Sequence, residues 1–379
     1  MKNKLTELAA LFFKLGVIGF GGPAAHIAMM EEEVVTRRKW LTREHFLDLM
    51  GATNLIPGPN STEMAIHVGY HRAGLAGLAV AGICFLIPAI TLTFILAYFY
   101  VAYRSVPNIE PLLMGIKPAV ILLIANAVFK LGKKALKSVP LAVLGAIIVV
   151  IALMGTNPFL VVVGGGLVGM LLLSLWDNRQ SPKAGYMLLA APVESLTDVA
   201  TPAIITTVSV FFAFLKIGSI LFGSGYVLIA FLETELVNNL GWLNAQELLD
   251  AVAIGQFTPG PVLSTATFVG YLVDGGWGAV AATLGIFLPS FVFVALLNPL
   301  VPKMRNSVWM GRFLDAVNVC ALGLMAGITL KLAATTLVDW QSITIAVFGA
   351  IAVFWLKLSP LWIVAIGSIM GLLLSMIVI

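Results

Sequence analysis

Two copies of one short motif are the residues of this sequence most suited to building a binding site: Pro57-Gly58-Pro59 and Pro259-Gly260-Pro261. Proline lacks an N–H and its ring clashes with the preceding helical turn, so two prolines around a glycine stop a continuous helix. A new helix can begin at the second proline of each triplet. Its first turn would present free N–H groups and the positive end of the helix dipole, which attract anions.

Small polar side chains flank both triplets and would supply further hydrogen bonds to a ligand. The residues just beyond the breaks are Ser61, Thr62, Ser264 and Thr265, and those just before them are Asn54 and Gln256. Backbone breaks at membrane depth survive only when buried in protein or lining a wet cavity. The alternative is a tight structural turn between two re-entrant helices that binds no ligand.

A second pair of breaks follows an apolar helix in each half: Gly21-Gly22-Pro23 and Gly223-Ser224-Gly225. The backbone amides of these glycines are suited to face the same cavity as the triplets. Close packing of helices explains the glycines equally well.

Two lysines, Lys14 and Lys216, lie in apolar surroundings one to two helical turns before these breaks. Cations inside a membrane are costly and usually serve a substrate pathway or a counter-ion. Their recurrence favours a cationic centre that attracts an oxyanion, whereas snorkelling to the membrane interface is the alternative.

Five glutamates are candidates for a coupling proton: Glu31, Glu33, Glu63, Glu233 and Glu235. The first two match the last two in the second half of the chain, and these four could instead form ion pairs with the lysines. Glu63 occurs only in the first half, where a desolvated carboxylate could titrate near neutral pH. An ordinary position at the membrane interface is the alternative for each.

The elements that must position these groups are membrane helices. Of the 379 residues, 60% are apolar and 11% are charged, whereas a soluble protein has about a quarter charged residues. The composition therefore predicts an all-α polytopic protein in a lipid bilayer, with about 9–12 membrane segments. The long apolar runs are 77–101, 112–129, 140–154, 158–176, 203–222, 278–301, 313–330, 342–356 and 361–379.

The chain repeats itself at a spacing of 202 residues, which becomes 201 after a one-residue gap. Matching pairs include Lys14/Lys216, Trp40/Trp242, Asp48/Asp250, the triplets, Gly74/Gly275, Pro88/Pro289 and Lys130/Lys331. A collinear run of this kind indicates a duplication. We expect a first repeat at 1–176, a loop at 177–200 and a second repeat at 201–379.

The second repeat is predicted to be inverted in the membrane. Arg37, Arg38 and Lys39 are replaced by Asn239, Leu240 and Gly241, while the second half gains basic residues in loops near 303–312. Basic loops mark the cytoplasmic side, so equivalent loops lie on opposite sides. Inverted repeats of this kind are common in secondary transporters.

Several other classes of protein are disfavoured. The basic residues lie at the ends of apolar runs, so no nucleic-acid partner is indicated, and neither a P-loop nor a nucleophile motif is present. The glycines at 164–166 and 169 form a helix-packing surface rather than a nucleotide loop. Cys84 and Cys320 and the four histidines show no metal-ligand spacing, so we expect no metal, cofactor or enzymatic activity.

The sequence resembles the chromate ion transporter family in its long, two-domain form. The resemblance rests on FFKLGVIGFGGPAAHI at 12–27, EEEVVTRRKWLT at 31–42, LIPGPNST at 55–62, and FGSGYV and FTPGPVLSTATFVGY in the second half. It implies a bacterial inner-membrane protein that exports chromate, a tetrahedral dianion like sulfate, by proton motive force or anion exchange. In the second copy Pro23 becomes Gly225, and the basic residues Arg37, Arg38 and Lys39 are lost. The two copies are therefore not expected to have equal roles.

The favoured hypothesis is therefore a chromate exporter whose site lies between two inverted repeats. Sulfate is the main competing substrate, and a homodimer is left open. A carrier of organic solutes coupled to protons or cations, with Glu31, Glu33 and Glu63 as ligands, is a rival. A membrane enzyme or assembly factor is a more distant one, because the sequence lacks a catalytic constellation.

Overall fold

The computed structural model describes residues 2–19, 22–103, 110–180, 205–222, 225–297, 307–356 and 358–377. All regular structure in these ranges is helical, which confirms the predicted all-α class. The predicted positions Gly21, Gly223 and Ser224 lie outside the described residues.

Fourteen α-helices are described, seven in each half of the chain. Those of the first half are α1 Lys2–Ile18, α2 Pro23–Glu31, α3 Arg43–Thr53, α4 Asn60–Tyr103, α5 Glu110–Ala135, α6 Val139–Leu153 and α7 Pro158–Gln180. Those of the second half are α8 Thr207–Ile220, α9 Leu228–Leu232, α10 Ala245–Phe257, α11 Thr265–Leu297, α12 Val308–Thr336, α13 Trp340–Phe354 and α14 Pro360–Ile377. Because α7 continues to Gln180, residues 177–180 of the predicted loop are helical.

Five of the described helices, α4, α5, α7, α11 and α12, are long and apolar enough to cross a membrane. Four shorter apolar helices, α6, α8, α13 and α14, accompany them. Many of their large apolar side chains are exposed on the outside of the protein. An apolar exterior is suited to lipid rather than water, and the chain is a multi-pass membrane protein.

Local sequence explains where the shorter polar helices begin. The Thr42 hydroxyl caps α3 by accepting a hydrogen bond from the backbone N–H of His45 at 3.2 Å. Asn244 and Glu247 cap α10 reciprocally, each side chain bonding to the other residue's backbone N–H. Such caps satisfy N–H groups that the helix leaves free.

Each of the helices α4 and α11 reverses direction at a kink. Gly74 and Gly275 have φ values of 64° and 57°, a region that favours glycine. A Cβ placed on Gly69 would lie 2.3 Å from the Gly77 carbonyl oxygen, although a straight helix would separate these residues by about 12 Å. The segment after each triplet therefore folds back along the long helix that follows it; Gly270 and Gly278 make the same contact.

The helices form two bundles, each drawn from both halves of the chain. In the first bundle α1 packs on α4, α8 packs on α11, and α4 packs on α11. In the second, α12 packs against α5, α6 and α7, and α5 also contacts α13 and α14. Three glycines of α7 lie against α12, as predicted: Gly165 faces Cys320, Gly166 faces Val317 and Gly169 faces Ala316. The prediction was wrong for Gly164, which has open space around it.

Candidate functional site

The two Pro-Gly-Pro triplets are each held by the opposite half of the chain. The Gly58 N–H donates to the Leu221 carbonyl oxygen at 2.7 Å, and the Gly260 N–H donates to the Gly19 carbonyl oxygen at 2.7 Å. The two acceptors lie at the ends of α8 and α1, where the second pair of predicted breaks occurs. Each triplet is therefore held against the helix end that precedes the second break of the opposite half.

The glycine of each triplet packs on the long helix of the other half. Gly58 has a φ of 144°, and a Cβ there would lie 2.2 Å from Ser290 Oγ and 2.3 Å from Glu63 Oε1. Gly260 has a φ of 97°, and a Cβ there would lie 2.9 Å from Ala89 Cβ. Only glycine fits both the backbone conformation and the space at these positions.

The triplets end helices as predicted, and new helical turns begin one residue later than expected. Helix α4 begins at Asn60, and the N–H groups of Thr62 and Glu63 bond to the Pro59 carbonyl oxygen. In the second half a 3-10 turn, Val262–Ser264, leads into α11. The second proline of each triplet therefore precedes the helix rather than occupying its first position.

Buried hydroxyl groups without hydrogen-bond partners surround the triplets. The side chains of Ser61, Thr62, Thr265 and Ser290 are at most 1% exposed, and none of their hydroxyl oxygens has a partner. Ser264 is also buried, and its hydroxyl bonds to that of Thr258 at 3.2 Å. An unsatisfied buried polar group costs about 1–3 kcal/mol, so a cluster of them is suited to a ligand that completes the bonds.

Glu63 is fully buried beside this cluster. Neither of its carboxylate oxygens has a hydrogen-bond partner, and Oε1 faces the same small space over Gly58 as Ser290 Oγ. An ionised carboxylate at such a position would be strongly disfavoured without a cation beside it. The protonated acid, by contrast, is a hydrogen-bond donor.

The two amide side chains before the triplets differ in their surroundings. Gln256 accepts a hydrogen bond from the Tyr226 hydroxyl at 3.2 Å, and its own Nε2 is buried without a partner. Asn54 is exposed, donates to the Met50 carbonyl oxygen and accepts from Asn60. Gln256 is thus placed to donate to a ligand, whereas Asn54 stabilises the end of α3.

The two lysines form ion pairs with buried glutamates rather than projecting alone. Lys14 Nζ lies 3.2 Å from Glu33 Oε1, and Lys216 Nζ lies 2.7 Å from Glu235 Oε1. Both lysine side chains are about half exposed, and both carboxylates are buried. The arrangement is the lysine–glutamate bridge left open as an alternative, and it balances the positive charge.

The remaining glutamates also have basic partners. Glu233 pairs with Lys331 at 2.9 Å, and Glu31 pairs with Arg43 at 3.3 Å. The carboxylates of each half lie in or beside π-helical segments, Glu32–Arg37 and Glu233–Asn239. Such segments widen a helix locally and are frequent at functional sites.

Sequence reasoning missed two residues of this region, His26 and Ser290. His26 is buried, and its Nε2–H donates to the same Gly19 carbonyl oxygen that binds Gly260, at 2.8 Å. It follows Gly22, whose φ of 80° opens the turn into α2. Two features of the sequence could have indicated them. His26 comes just after the glycine break, and Ser290 follows Pro289 at the position where the first half has Ala89 after Pro88.

The described residues contain no group of three His, Cys, Asp or Glu side chains placed to hold a metal ion. Both cysteines, Cys84 and Cys320, are free thiols.

Comparisons with known proteins identify the family. The family described as Chromate transporter matches residues 6–170 and again residues 208–372. The chain is 31% identical to the chromate transport protein of Cupriavidus metallidurans, covering 97% of this chain and 92% of that one. It is 32% identical to the chromate transport protein of Pseudomonas aeruginosa, covering 91% and 85%, and 30% identical to a probable chromate transport protein of Synechococcus elongatus, covering 97% and 95%. No solved structure matches the chain significantly. The chain therefore belongs to the chromate transporter family.

Proposed function

We propose that this protein exports chromate across a bacterial inner membrane, through a site built around the two Pro-Gly-Pro triplets. The observation that carries the proposal is the cluster of buried, unpartnered hydroxyls at the starts of the helical turns after the breaks. Relatives named chromate transport proteins match over nearly the whole chain, which supports chromate as the cargo.

We also propose that the two halves are inverted repeats related by a two-fold axis through this site. The reciprocal bonds support this, because Gly58 bonds to Leu221 and Gly260 bonds to Gly19 at equivalent positions 202 residues apart. Reciprocal contacts between equivalent residues are the signature of a two-fold interface. An inverted pair of this kind places a substrate site near the middle of the membrane.

Chromate fits the donors of this site. A tetrahedral dianion accepts hydrogen bonds from every side, and the hydroxyls of Ser61, Thr62, Thr265 and Ser290 can all donate. Gln256 Nε2 adds one further donor. Lys14 and Lys216, whose charges are balanced by Glu33 and Glu235, are better suited to holding these segments together than to binding the anion.

Of the five coupling candidates, Glu63 is the one best placed to link a bound proton to anion binding. In its ionised form it would repel a dianion in the space over Gly58, whereas in its protonated form it would donate a hydrogen bond to the anion. Anion binding therefore requires a proton on Glu63. Glu31, Glu33, Glu233 and Glu235, which have basic partners, are better suited to holding the fold.

The membrane potential by itself can drive export. Moving one elementary charge across 100 mV is worth about 2.3 kcal/mol, so a dianion leaving a negative interior gains about 4.6 kcal/mol. A proton that left with the anion would halve this gain. We therefore propose that the Glu63 proton stays with the protein during the outward step.

Chromate accumulation in energised cells that express this chain tests the proposal. We expect lower chromate than in empty-vector cells, and we expect an uncoupler to abolish the difference. Replacing Thr62 or Thr265 by valine, which keeps the volume and removes the hydroxyl, should raise accumulation at equal expression. Ser368→Ala is the matched control, because this buried hydroxyl bonds within α14, away from the site.

Two outcomes would overturn parts of the proposal. Accumulation equal to that of empty-vector cells would remove chromate export. Export that survives both threonine substitutions would keep the function and reject the site. Excess sulfate in the same assay distinguishes the two substrates. If the protein carries sulfate, sulfate should compete with chromate and reduce chromate export.

A further inference from the structure

The segments before the two triplets, which are matched in sequence, are packed very differently. We call residues 23–53 the first arm and residues 225–257 the second arm. Leu249 and Asp250 of the second arm are 2% and 1% exposed. Their counterparts Leu47 and Asp48 in the first arm are exposed, Leu47 by 44%.

The cores to which the arms belong differ in the same way. The buried apolar residues of the second arm are continuous with those of α5, α6, α7 and α12 in the second bundle. Those of the first arm form a separate core with α1 and α4 alone. The second arm is thus docked between the bundles, whereas the first arm is attached to the first bundle only.

Polar contacts hold the second arm in place. Asp250 accepts a hydrogen bond from the Tyr100 hydroxyl of α4 at 2.8 Å. Lys331 of α12 forms an ion pair with Glu233 at 2.9 Å. One carboxylate of this arm is therefore bonded to the first bundle and another to the second bundle.

The first arm has a different set of polar contacts at the matching positions. Glu31, the counterpart of Glu233, pairs with Arg43 inside its own arm. Lys130, the counterpart of Lys331, is exposed. Asp48 is exposed as well, although it carries the same charge as Asp250.

We propose that the docked second arm is a closed gate, and that the Asp250–Tyr100 hydrogen bond and the Glu233–Lys331 ion pair are the latch that holds it shut. In the transport cycle the arms exchange roles: the second arm undocks and the first arm docks against the second bundle. This exchange requires that two matching sequences can each adopt either packing state. In the structure the two arms occupy one packing state each.

The geometry assigns a direction to the state described. The undocked first arm carries the exposed residues Arg37, Arg38 and Lys39. Basic residues mark the cytoplasmic side of a membrane protein, so the undocked arm lies on the cytoplasmic side and the docked arm closes the other side. This inference rests on the proposed transport function, but its test does not need chromate.

Thiol labelling of the intact protein in membrane vesicles tests the latch. Cys84 and Cys320 are first replaced by alanine, and then a Leu47→Cys or a Leu249→Cys substitution is added. With a small maleimide we expect the thiol at position 47 to react at least about tenfold faster than the thiol at position 249. This difference follows from their exposures.

Weakening the latch should change the labelling rates at positions 47 and 249 in opposite directions. Lys331→Gln or Glu233→Gln, which break the same ion pair from opposite sides, should speed labelling at position 249 and slow labelling at position 47. Lys130→Gln is the matched control and should not speed labelling at position 249, because the Lys130 side chain is exposed in this state and does not hold the second arm.

Either of two results would overturn the exchange. Unchanged rates in both latch variants would show that the ion pair does not hold the gate. Faster labelling at both positions would show local loosening instead of a coordinated exchange. Labelling needs no substrate, so it tests the gate independently of chromate. If the arms exchange but the protein fails to lower cellular chromate, the proposed cargo is wrong and the gate proposal still holds.

Discussion

Replacing Gly58 by alanine is expected to abolish export while leaving most of the protein folded. The added Cβ would lie 2.2 Å from Ser290 Oγ and 2.3 Å from Glu63 Oε1. Both groups are side-chain ends that can turn away, so the remaining cost is the strain of a φ of 144°, about 1–3 kcal/mol. The two oxygens that turn away are those proposed to bind the anion and the proton, so function should suffer more than stability.

Gly260→Ala is the matched control for this reasoning. Its φ of 97° imposes comparable strain, and its Cβ would press on Ala89 Cβ at 2.9 Å, which has no rotamer to escape into. We expect Gly260→Ala to be at least as destabilising as Gly58→Ala, and less damaging to export per folded molecule. Thermal unfolding in detergent and chromate accumulation at equal expression measure the two effects. A Gly58→Ala protein that exports normally would refute the argument that this space holds the site.

Other expected outcomes follow from the same contacts. Glu63→Gln, which keeps a neutral donor, should retain chromate export and flatten its dependence on pH, whereas Glu63→Ala should lose export; equal loss in both variants in a pH series would contradict the coupling role. Lys216→Ala should lower the unfolding temperature more than Lys14→Ala. Without its lysine, Glu33 keeps Arg37 and Arg38 as partners, whereas Glu235 keeps only Asn239 among the described residues. A larger drop for Lys14→Ala would contradict this reasoning. Gly165→Val should destabilise the protein by about 1–3 kcal/mol, because its Cβ would lie 2.5 Å from Cys320 Sγ. Gly164→Val, with open space around it, should unfold at the wild-type temperature, and equal effects would reject the packing role.

The helix breaks and their neighbouring polar residues were predictable because their causes are local. Two prolines around a glycine stop a helix, so the triplets were located to within one residue of the new helix starts. Single prolines such as Pro88 and Pro289 lie inside α4 and α11. The apolar runs predicted helices for the same reason, since length and composition decide whether a segment can cross a bilayer. The kinks at Gly74 and Gly275 were not predicted, because a glycine just before an apolar run is equally compatible with a straight helix.

From the sequence, ion pairs between the lysines and the glutamates were only one of several possible arrangements. Lys14 and Glu33 are 19 residues apart, as are Lys216 and Glu235, and this spacing alone does not show that the chain folds back to join them. Ser290 and His26 were missed because each reaches the site through tertiary packing, across the two halves or across the break at Gly22.

The sequence by itself determined that this is a helical membrane protein of the chromate transporter family, with two matching sets of helix breaks and polar residues. Only the tertiary structure decided that each triplet forms a hydrogen bond with the opposite half, and that four unpartnered hydroxyls and Glu63 are buried beside the triplets. It also decided that the second arm is docked between the bundles, whereas the first arm packs on α1 and α4. The physical reason is that composition and proline act on the chain locally, whereas burial depends on which surfaces meet, and matching sequences can pack in more than one way.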